Sequence, residues 1–120
     1  MTDIFFSSHV IEHVPNIKHM FLLAKKLLHQ NGLLITYCPN GSEQFKALRR
    51  SEHHKLWGQV HPNFLTAEFF QKAFRDVPYL IGSDKADNKE IYAWDKSSQT
   101  VLDLSGPELF VISKVDKVNF

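Results

Sequence analysis

The sequence lacks most of the features that place a protein in a specialised class. Its 120 residues include one cysteine, Cys38, which excludes an internal disulfide and favours a reducing compartment, here taken as the cytoplasm. No apolar run approaches the ~20 residues that cross a membrane. The residues after Met1 carry no basic segment typical of a signal peptide. With 14 basic and 13 acidic residues, the net charge is +1. We therefore expect neither a membrane nor a nucleic acid as a partner.

What the chain does contain is sufficient for one folded domain. Hydrophobic residues make up 43% of the sequence and charged residues 22%, close to globular averages. A chain of this length can bury about two thirds of the surface of its unfolded form. We expect residues 1–120 to form a single domain with its own core.

The first third of the chain has the pattern of a strand, a helix and a second strand. Residues 3–8 and 33–38 are apolar, β-prone runs of the kind that form buried parallel strands. Between them, Asn16 is a candidate helix N-cap, and Asn31-Gly32 is a candidate helix stop. One apolar stripe follows the helical period: Ile17, Met20, Phe21, Ala24, Leu27 and Leu28. This βαβ unit implies two parallel strands with helices on both faces.

The remainder of the chain is less regular. We predict helices over residues 42–50 and 66–75, the second with Thr66 as its N-cap, and a loop over residues 53–64. Four further segments have the composition of short strands: 77–81, 91–94, 100–104 and 109–115.

One short motif carries chemistry-bearing residues. His9-x-x-Glu12-His13 matches the H-x-x-E-H pattern of inverted zinc proteases, in which two histidines on one helix face hold zinc and the glutamate acts as a base. Pro15 limits any helix here to a short turn. A metal-dependent hydrolase that uses these three residues is one hypothesis.

A second interpretation of the same region depends on its position. Open α/β sheets bind ligands beyond the carboxyl ends of parallel strands. Four polar side chains would lie there: Ser7, Ser8, His9 and Glu12. If the loop 53–64 folds over this crevice, His61 would approach His9, and the group could hold a metal or supply a general base. Alternatively, Glu12 and His13 brace the helix that follows, and the loop histidines are solvated.

Residues 3–15, Asp-Ile-Phe-Phe-Ser-Ser-His-Val-Ile-Glu-His-Val-Pro, resemble the fourth-strand motif of class I S-adenosylmethionine-dependent methyltransferases. That motif has an acidic residue, an apolar strand, a small-residue end and a Leu/Ile-Glu-His-Val/Leu-Pro turn. Three segments are similar to later parts of that fold: residues 28–36 with Pro39-Asn40 to its fifth strand, 61–66 to the start of its last helix, and 109–114 to its closing antiparallel strand. The resemblance spans nearly the whole chain, but only the second half of the family's fold.

The resemblance implies an α/β fold with a partial doubly wound, Rossmann-like sheet. This sheet would be mostly parallel, with an antiparallel C-terminal edge strand. The family's glycine-rich cofactor loop has no counterpart, because the five glycines form no G-x-G. The first three strands of the seven-stranded fold would therefore be missing. The edge of the first strand present would be unpaired and apolar, and it would recruit a complementing chain, form a homodimer or aggregate.

The function implied by the resemblance is methyl transfer from S-adenosylmethionine to a small-molecule acceptor. The chain would be such a methyltransferase or a truncated remnant of one. The isolated chain would be inactive, since most cofactor contacts belong to the absent half. Ser7, Ser8 and His9 would bind the cofactor, and the candidate catalytic residues are His9, Glu12 and His61.

Some relatives, the quinone-biosynthesis and small-RNA-terminal O-methyltransferases, hold a divalent metal through Glu-x-x-Glu-His at this place. Here the corresponding ligands would be His9, Glu12 and His13. The alternative from a different functional class is a non-catalytic interaction module that pairs through its exposed sheet edge.

Overall fold

Within residues 1–48 and 65–118, five strands and four helices form an α/β domain. The computed structural model describes residues 1–48 and 65–118. In chain order the elements are β1 Thr2–Ser8, α1 Ile17–Leu27, β2 Leu28–Pro39, α2 Glu43–Leu48, α3 Ala67–Ala73, β3 Tyr79–Ser83, α4 Asn88–Ala93, β4 Gln99–Val101 and β5 Glu108–Ser113. The predicted loop 53–64, with His61, lies outside the described residues.

The strands form a single mixed sheet in the order β1-β2-β5-β3-β4. β1 pairs with β2, and β3 with β4, in parallel, whereas β5 is antiparallel to both of its neighbours. The prediction that the last strand is antiparallel is confirmed, but its predicted place at an edge is wrong. β5 lies between β2 and β3, where the side chains on both of its faces are buried, as for Leu109, Phe110 and Val111. The two edges are β1 and β4.

The predicted βαβ unit is confirmed, with one shifted boundary. Asn16 caps α1, since its side chain accepts a hydrogen bond from the His19 N–H at 3.3 Å. The helix does not reach Asn31-Gly32; it ends at Leu27, and β2 begins at Leu28. Leu28 pairs with Thr2 of β1. Because strand pairing here replaces the last helical turn, the predicted helix stop is wrong.

The later elements follow the sequence pattern in part. The helix predicted over 66–75 is α3, and Thr66 caps it through the Phe69 N–H at 3.1 Å. Residues 91–94 are not a strand: residues 91–93 lie in α4, which begins after the Asp87 cap. A short apolar run alone does not distinguish a strand from a helix, and here the cap decides.

The core lies on one face of the sheet, here called the inner face. Alternate strand residues, among them Leu34, Ile81 and Val111, share this face by register and are fully buried. They belong to one cluster with three phenylalanines of α1 and α3: Phe21, Phe70 and Phe74. The rings of Phe21 and Phe74 lie 5.1 Å apart, and those of Phe70 and Phe74 are stacked at 6.4 Å. Such pairs add about 0.5–1.5 kcal/mol each beyond area burial.

The opposite, outer face is only partly covered over β1 and β2. Ile4 and Phe6 are 53% and 61% exposed. The rings of Phe6, Tyr37 and Phe110 form a row across three strands, with centroids 6.1 Å apart at each step. The expectation that both faces of these strands are buried is therefore wrong for the outer face. The sheet is packed on one side and half-open on the other at its β1 end.

Candidate functional site

Polar side chains gather where the parallel strands end. β1 ends at Ser8 and β2 at Pro39, and the parallel pairing brings these carboxyl ends to one side of the sheet. β5 runs the other way, so its first residue, Glu108, pairs with Pro39 at the same place. This is the region of an open α/β sheet that receives ligands. The arrangement joins residues about one hundred positions apart in sequence, since His9 contacts Glu108 with a separation of 99.

His9 is positioned by an unusual backbone conformation. Its φ of +56° lies in the left-handed region, and its N–H donates to the Tyr37 carbonyl at 2.9 Å. This turn directs the imidazole across the end of β2, so that Nε2 contacts the Glu108 carboxylate. Nδ1 lies 3.6 Å from Glu12 Oε1. The half-exposed imidazole of His9 therefore lies between two carboxylates.

Glu12 is fully buried beneath His9. It sits in a turn closed by the His13 N–H, which donates to the Val10 carbonyl at 2.9 Å. Its Oε1 lies 3.6 Å from His9 Nδ1 and 3.7 Å from His13 Nε2. Within the described residues, neither carboxylate oxygen has a hydrogen-bond partner. An unsatisfied buried carboxylate is costly, and the imidazoles of His9 and His13 lie within ion-pair distance of it.

The residues His9, Glu12, His13 and Glu108 are here named the strand-end cluster. Three members of this cluster belong to the sequence motif His9-x-x-Glu12-His13. In the structure, the imidazoles of His9 and His13 both lie near the Glu12 carboxylate. The motif forms a turn, not the helix of a zinc protease. In the described part of the chain, no three His, Cys, Asp or Glu side chains are arranged to hold a metal ion. The cluster does not fit the predicted metal site.

Cys38 lies next to this cluster on the inner face. Its side chain is fully buried. Burial raises the pKa of the thiol, and the nearby Glu12 and Glu108 carboxylates raise it further. The thiol therefore stays protonated and is a poor nucleophile at neutral pH.

The predicted cofactor residues Ser7 and Ser8 line a groove beside β1. The groove, of about 730 Å³, is here called the β1 groove. It is lined mostly by apolar side chains of β1, the following loop and α1, among them Phe5, Val10 and Leu23. Ser7 is itself buried and shares a 2.8 Å hydrogen bond with the Thr36 hydroxyl. His9 and Glu12 do not line the groove, although they follow it directly in sequence.

Sequence reasoning missed Glu108 and Asn40. Asn40 is fully buried after β2, and its amide donates to the carbonyls of Leu104 and Gly106 at 2.8 and 2.7 Å. Its Oδ1 accepts from the Ser42 N–H at 2.9 Å. The signal for Asn40 was the Pro-Asn-Gly run, which predicted only a turn. Glu108 carried no local signal, because its role depends on the position of β5 in the sheet.

Comparisons with known proteins add no identity to these observations. Neither a scan against models of protein families nor searches of curated proteins and of solved structures found a match. Among residues 1–48 and 65–118, no helix has the length and apolar character needed to cross a membrane.

Proposed function

We propose that this chain is the second half of an S-adenosylmethionine-dependent methyltransferase, acting on a small-molecule acceptor. The observation that supports the proposal concerns one region of the structure, the carboxyl end of β1. The segment with the family resemblance, residues 3–15, ends a parallel strand at Ser7 and Ser8, beside a groove, and continues into the strand-end cluster. The later segments that carry the resemblance form β2 and the antiparallel strand β5. A partial Rossmann-like sheet is the finer fold assignment within this proposal.

The β1 groove is the proposed cofactor-binding surface. Its volume of about 730 Å³ lies within the range of small-molecule sites, roughly 300–1,000 Å³. When bound, S-adenosylmethionine supplies an electrophilic methyl group on a sulfonium sulfur. Ser7 and Ser8 would border that end of the cofactor. The groove is open along the free edge of β1, so the isolated chain surrounds only part of a ligand, and we propose that it is inactive alone.

His9 is the proposed base for the acceptor. Its imidazole is half-exposed, whereas Glu12 is buried, so His9 is the group that an acceptor can reach. In the neutral imidazole, the nitrogen without a proton could take the proton that an acceptor hydroxyl or amine loses when it is methylated and S-adenosylhomocysteine is released. Glu108 and Glu12 then stabilise the imidazolium. Within this proposal, Glu12 is a positioning residue. The cytoplasm remains the proposed compartment, on the ground of the single, unpaired cysteine.

The test is binding of S-adenosylhomocysteine, followed residue by residue in amide NMR spectra of the isolated chain. We expect weak binding, with a Kd on the order of 1 mM, since only half of the contacts are present. Chemical-shift changes should concentrate at residues 7–10. Ser8→Phe should abolish them by filling the groove. Ser97→Phe, an exposed change beyond α4, is the matched control and should leave them unchanged. A folded chain with no shift changes at several millimolar ligand would contradict the proposal.

The second candidate is the non-catalytic interaction module. It is favoured by a separate observation, the exposure of Ile4 and Phe6 on the free edge strand β1. No observation favours the hydrolase, because its motif is a turn and the described residues hold no metal-binding set.

A further inference from the structure

The side of β1 that faces away from β2 is a free edge of the sheet. It lacks most of the features that usually prevent an edge strand from pairing with another chain. β1 runs for seven residues, Thr2–Ser8, and β2 is its only strand partner within the described residues. It contains no proline or lysine, and Asp3 is its single charged residue. Natural edge strands are usually short, or carry charges, prolines or bulges that prevent pairing with another chain. The register of β1 against β2 is irregular between Thr2 and Ile4 and regular from Ile4 to Ser8. This edge, here called the β1 edge, therefore remains competent to pair around Phe5.

The sequence of β1 is complementary to a second copy of the same strand that runs in the opposite direction. In an antiparallel pair centred on Phe5, that residue faces its own copy, and Ile4 faces Phe6. Asp3 then faces Ser7, and Thr2 faces Ser8. Apolar residues therefore meet apolar residues, polar residues meet polar ones, and no like charges are directly opposed. Directly opposed aromatic and β-branched pairs are among the favourable cross-strand contacts.

The surroundings of the β1 edge add apolar surface on both sides. Ile4 and Phe6 are more than half exposed on the outer face. Beside the edge, Val10, Leu23 and Leu27 are 46%, 49% and 43% exposed, and the first two line the β1 groove. A second copy would cover these side chains together with the free strand backbone, in an interface that needs about 1,000 Å² in total to be specific.

We propose that the β1 edge binds a second copy of this chain, with β1 against β1 in antiparallel orientation about a two-fold axis at Phe5. The two five-stranded sheets become one continuous sheet of ten strands. The row of Phe6, Tyr37 and Phe110 meets the same row of the second copy, with Phe6 packed against Ile4 across the axis. The two α1 helices face each other over the paired edges through Leu23 and Leu27.

The first test is the mass of the full 120-residue chain in solution, by analytical ultracentrifugation over a range of concentrations. We expect a dimer of twice 13.9 kDa. Phe6→Lys should weaken dimerisation by about thirtyfold or more, the loss typical of an interface hot spot. Ile4→Lys serves as an independent variant on the same face. Val101→Lys, on the β4 edge at 40% exposure, is the matched control and should remain a dimer.

The second test fixes the register by cross-linking. Thr2 and Ser8 of opposite copies should lie directly across from each other, at a Cα distance of about 4.5–5.5 Å, which a disulfide can span. The Thr2→Cys, Ser8→Cys double variant should therefore form a covalent dimer on oxidation, whereas Thr2→Cys alone should not. A wild-type chain that stays monomeric at about 100 µM, far above the Kd of a stable dimer, would overturn the proposal. So would a dimer that survives both lysine variants without cross-linking.

Failure of the dimer proposal can be distinguished from failure of the proposed methyltransferase function. Dimerisation is measured without ligand, and binding of S-adenosylhomocysteine can be measured on the monomeric Ile4→Lys variant, because Ile4 does not line the β1 groove. A wild-type chain that stays monomeric but binds the ligand at residues 7–10 would overturn the edge pairing alone. A wild-type dimer whose monomeric Ile4→Lys variant also fails to bind the ligand would overturn the methyltransferase proposal and support the interaction module.

Discussion

The two edges of the sheet are built from different kinds of strand. β1 has seven residues and exposes Ile4 and Phe6, whereas β4 has three residues, Gln99–Val101. The side chain of Gln99 is tied to the chain before β3, since it donates to the carbonyls of Arg75 and Val77 at 2.6 and 3.1 Å. β1 has no comparable anchor on its outer side among the described residues. The short edge is tied to the neighbouring chain by a side chain, and the long one leaves a pairing surface.

The same contrast extends to the loops that follow these strands. The loop after β4 is fastened by Asn40 and by Ser83, whose hydroxyl donates to the Asp103 carbonyl at 2.7 Å and accepts from the Gly106 N–H at 3.0 Å. The turn after β1 instead buries Glu12 without hydrogen bonds from the described residues. The loop on the β4 side of the sheet is therefore held by hydrogen bonds. On the β1 side, a buried carboxylate lacks hydrogen bonds from the described residues, and apolar side chains are exposed.

The largest effect on stability is expected at the anchor of the β4 side. Asn40→Ala removes two donors and one acceptor from buried backbone groups, so the free energy of unfolding should fall by about 3 kcal/mol. Asn31→Ala changes an exposed asparagine on the β1 side and should cost less than about 0.5 kcal/mol. Urea denaturation followed by circular dichroism measures both. Equal losses would show that the β4 loop is not held by Asn40.

A second comparison uses one glycine near each edge. A Cβ at Gly106 would come within 2.0 Å of Asp84 Oδ1, an atom that also accepts the Glu108 N–H. A Cβ at Gly32 would come within 2.8 Å of Leu28 Cδ2, the end of a flexible side chain. We expect Gly106→Ala to destabilise by about 2 kcal/mol and Gly32→Ala by about 1 kcal/mol. The reverse order in thermal unfolding would contradict the tighter packing of the β4 side.

The smallest effect concerns the pH dependence of the β4 side. The hydroxyl and N–H of Ser105 donate to the Asp103 carboxylate and lower its pKa. A lowered pKa means that the ionised carboxylate favours the folded state. This stabilisation is present above the unfolded value, about 3.9, and is lost as the pH falls through the folded value.

Asp103→Asn should therefore lower stability slightly near neutral pH and leave it unchanged under strongly acidic conditions. Urea denaturation at a series of pH values is the measurement. Ser105→Ala removes the hydroxyl donor and should reproduce part of the effect. A difference between wild type and Asp103→Asn that does not shrink toward acid pH would show that the Ser105 hydrogen bonds do not favour the ionised form.

Part of the candidate site could be predicted because it is local in sequence. Ser7, Ser8, His9 and Glu12 lie within six positions at the end of a strand, and any turn there keeps them close. The contact of His9 with Glu108 could not be predicted, because it requires β5 to lie beside β2. The predicted approach of His61 falls outside the described residues and stays a prediction.

The sequence by itself determined the elements with strong periodicity and clear caps. The βαβ unit and the Asn16 and Thr66 caps follow from patterns within a few residues of each other, which local hydrogen bonding and burial encode. The antiparallel direction of the last strand was expected only from the family resemblance. Only the tertiary structure decided that β5 enters between β2 and β3, that Leu28 leaves the helix to pair with Thr2, and that residues 91–93 are helical. These outcomes depend on which strand, distant in sequence, provides a pairing partner and a buried face. Sequence periodicity contains no information about such long-range pairing.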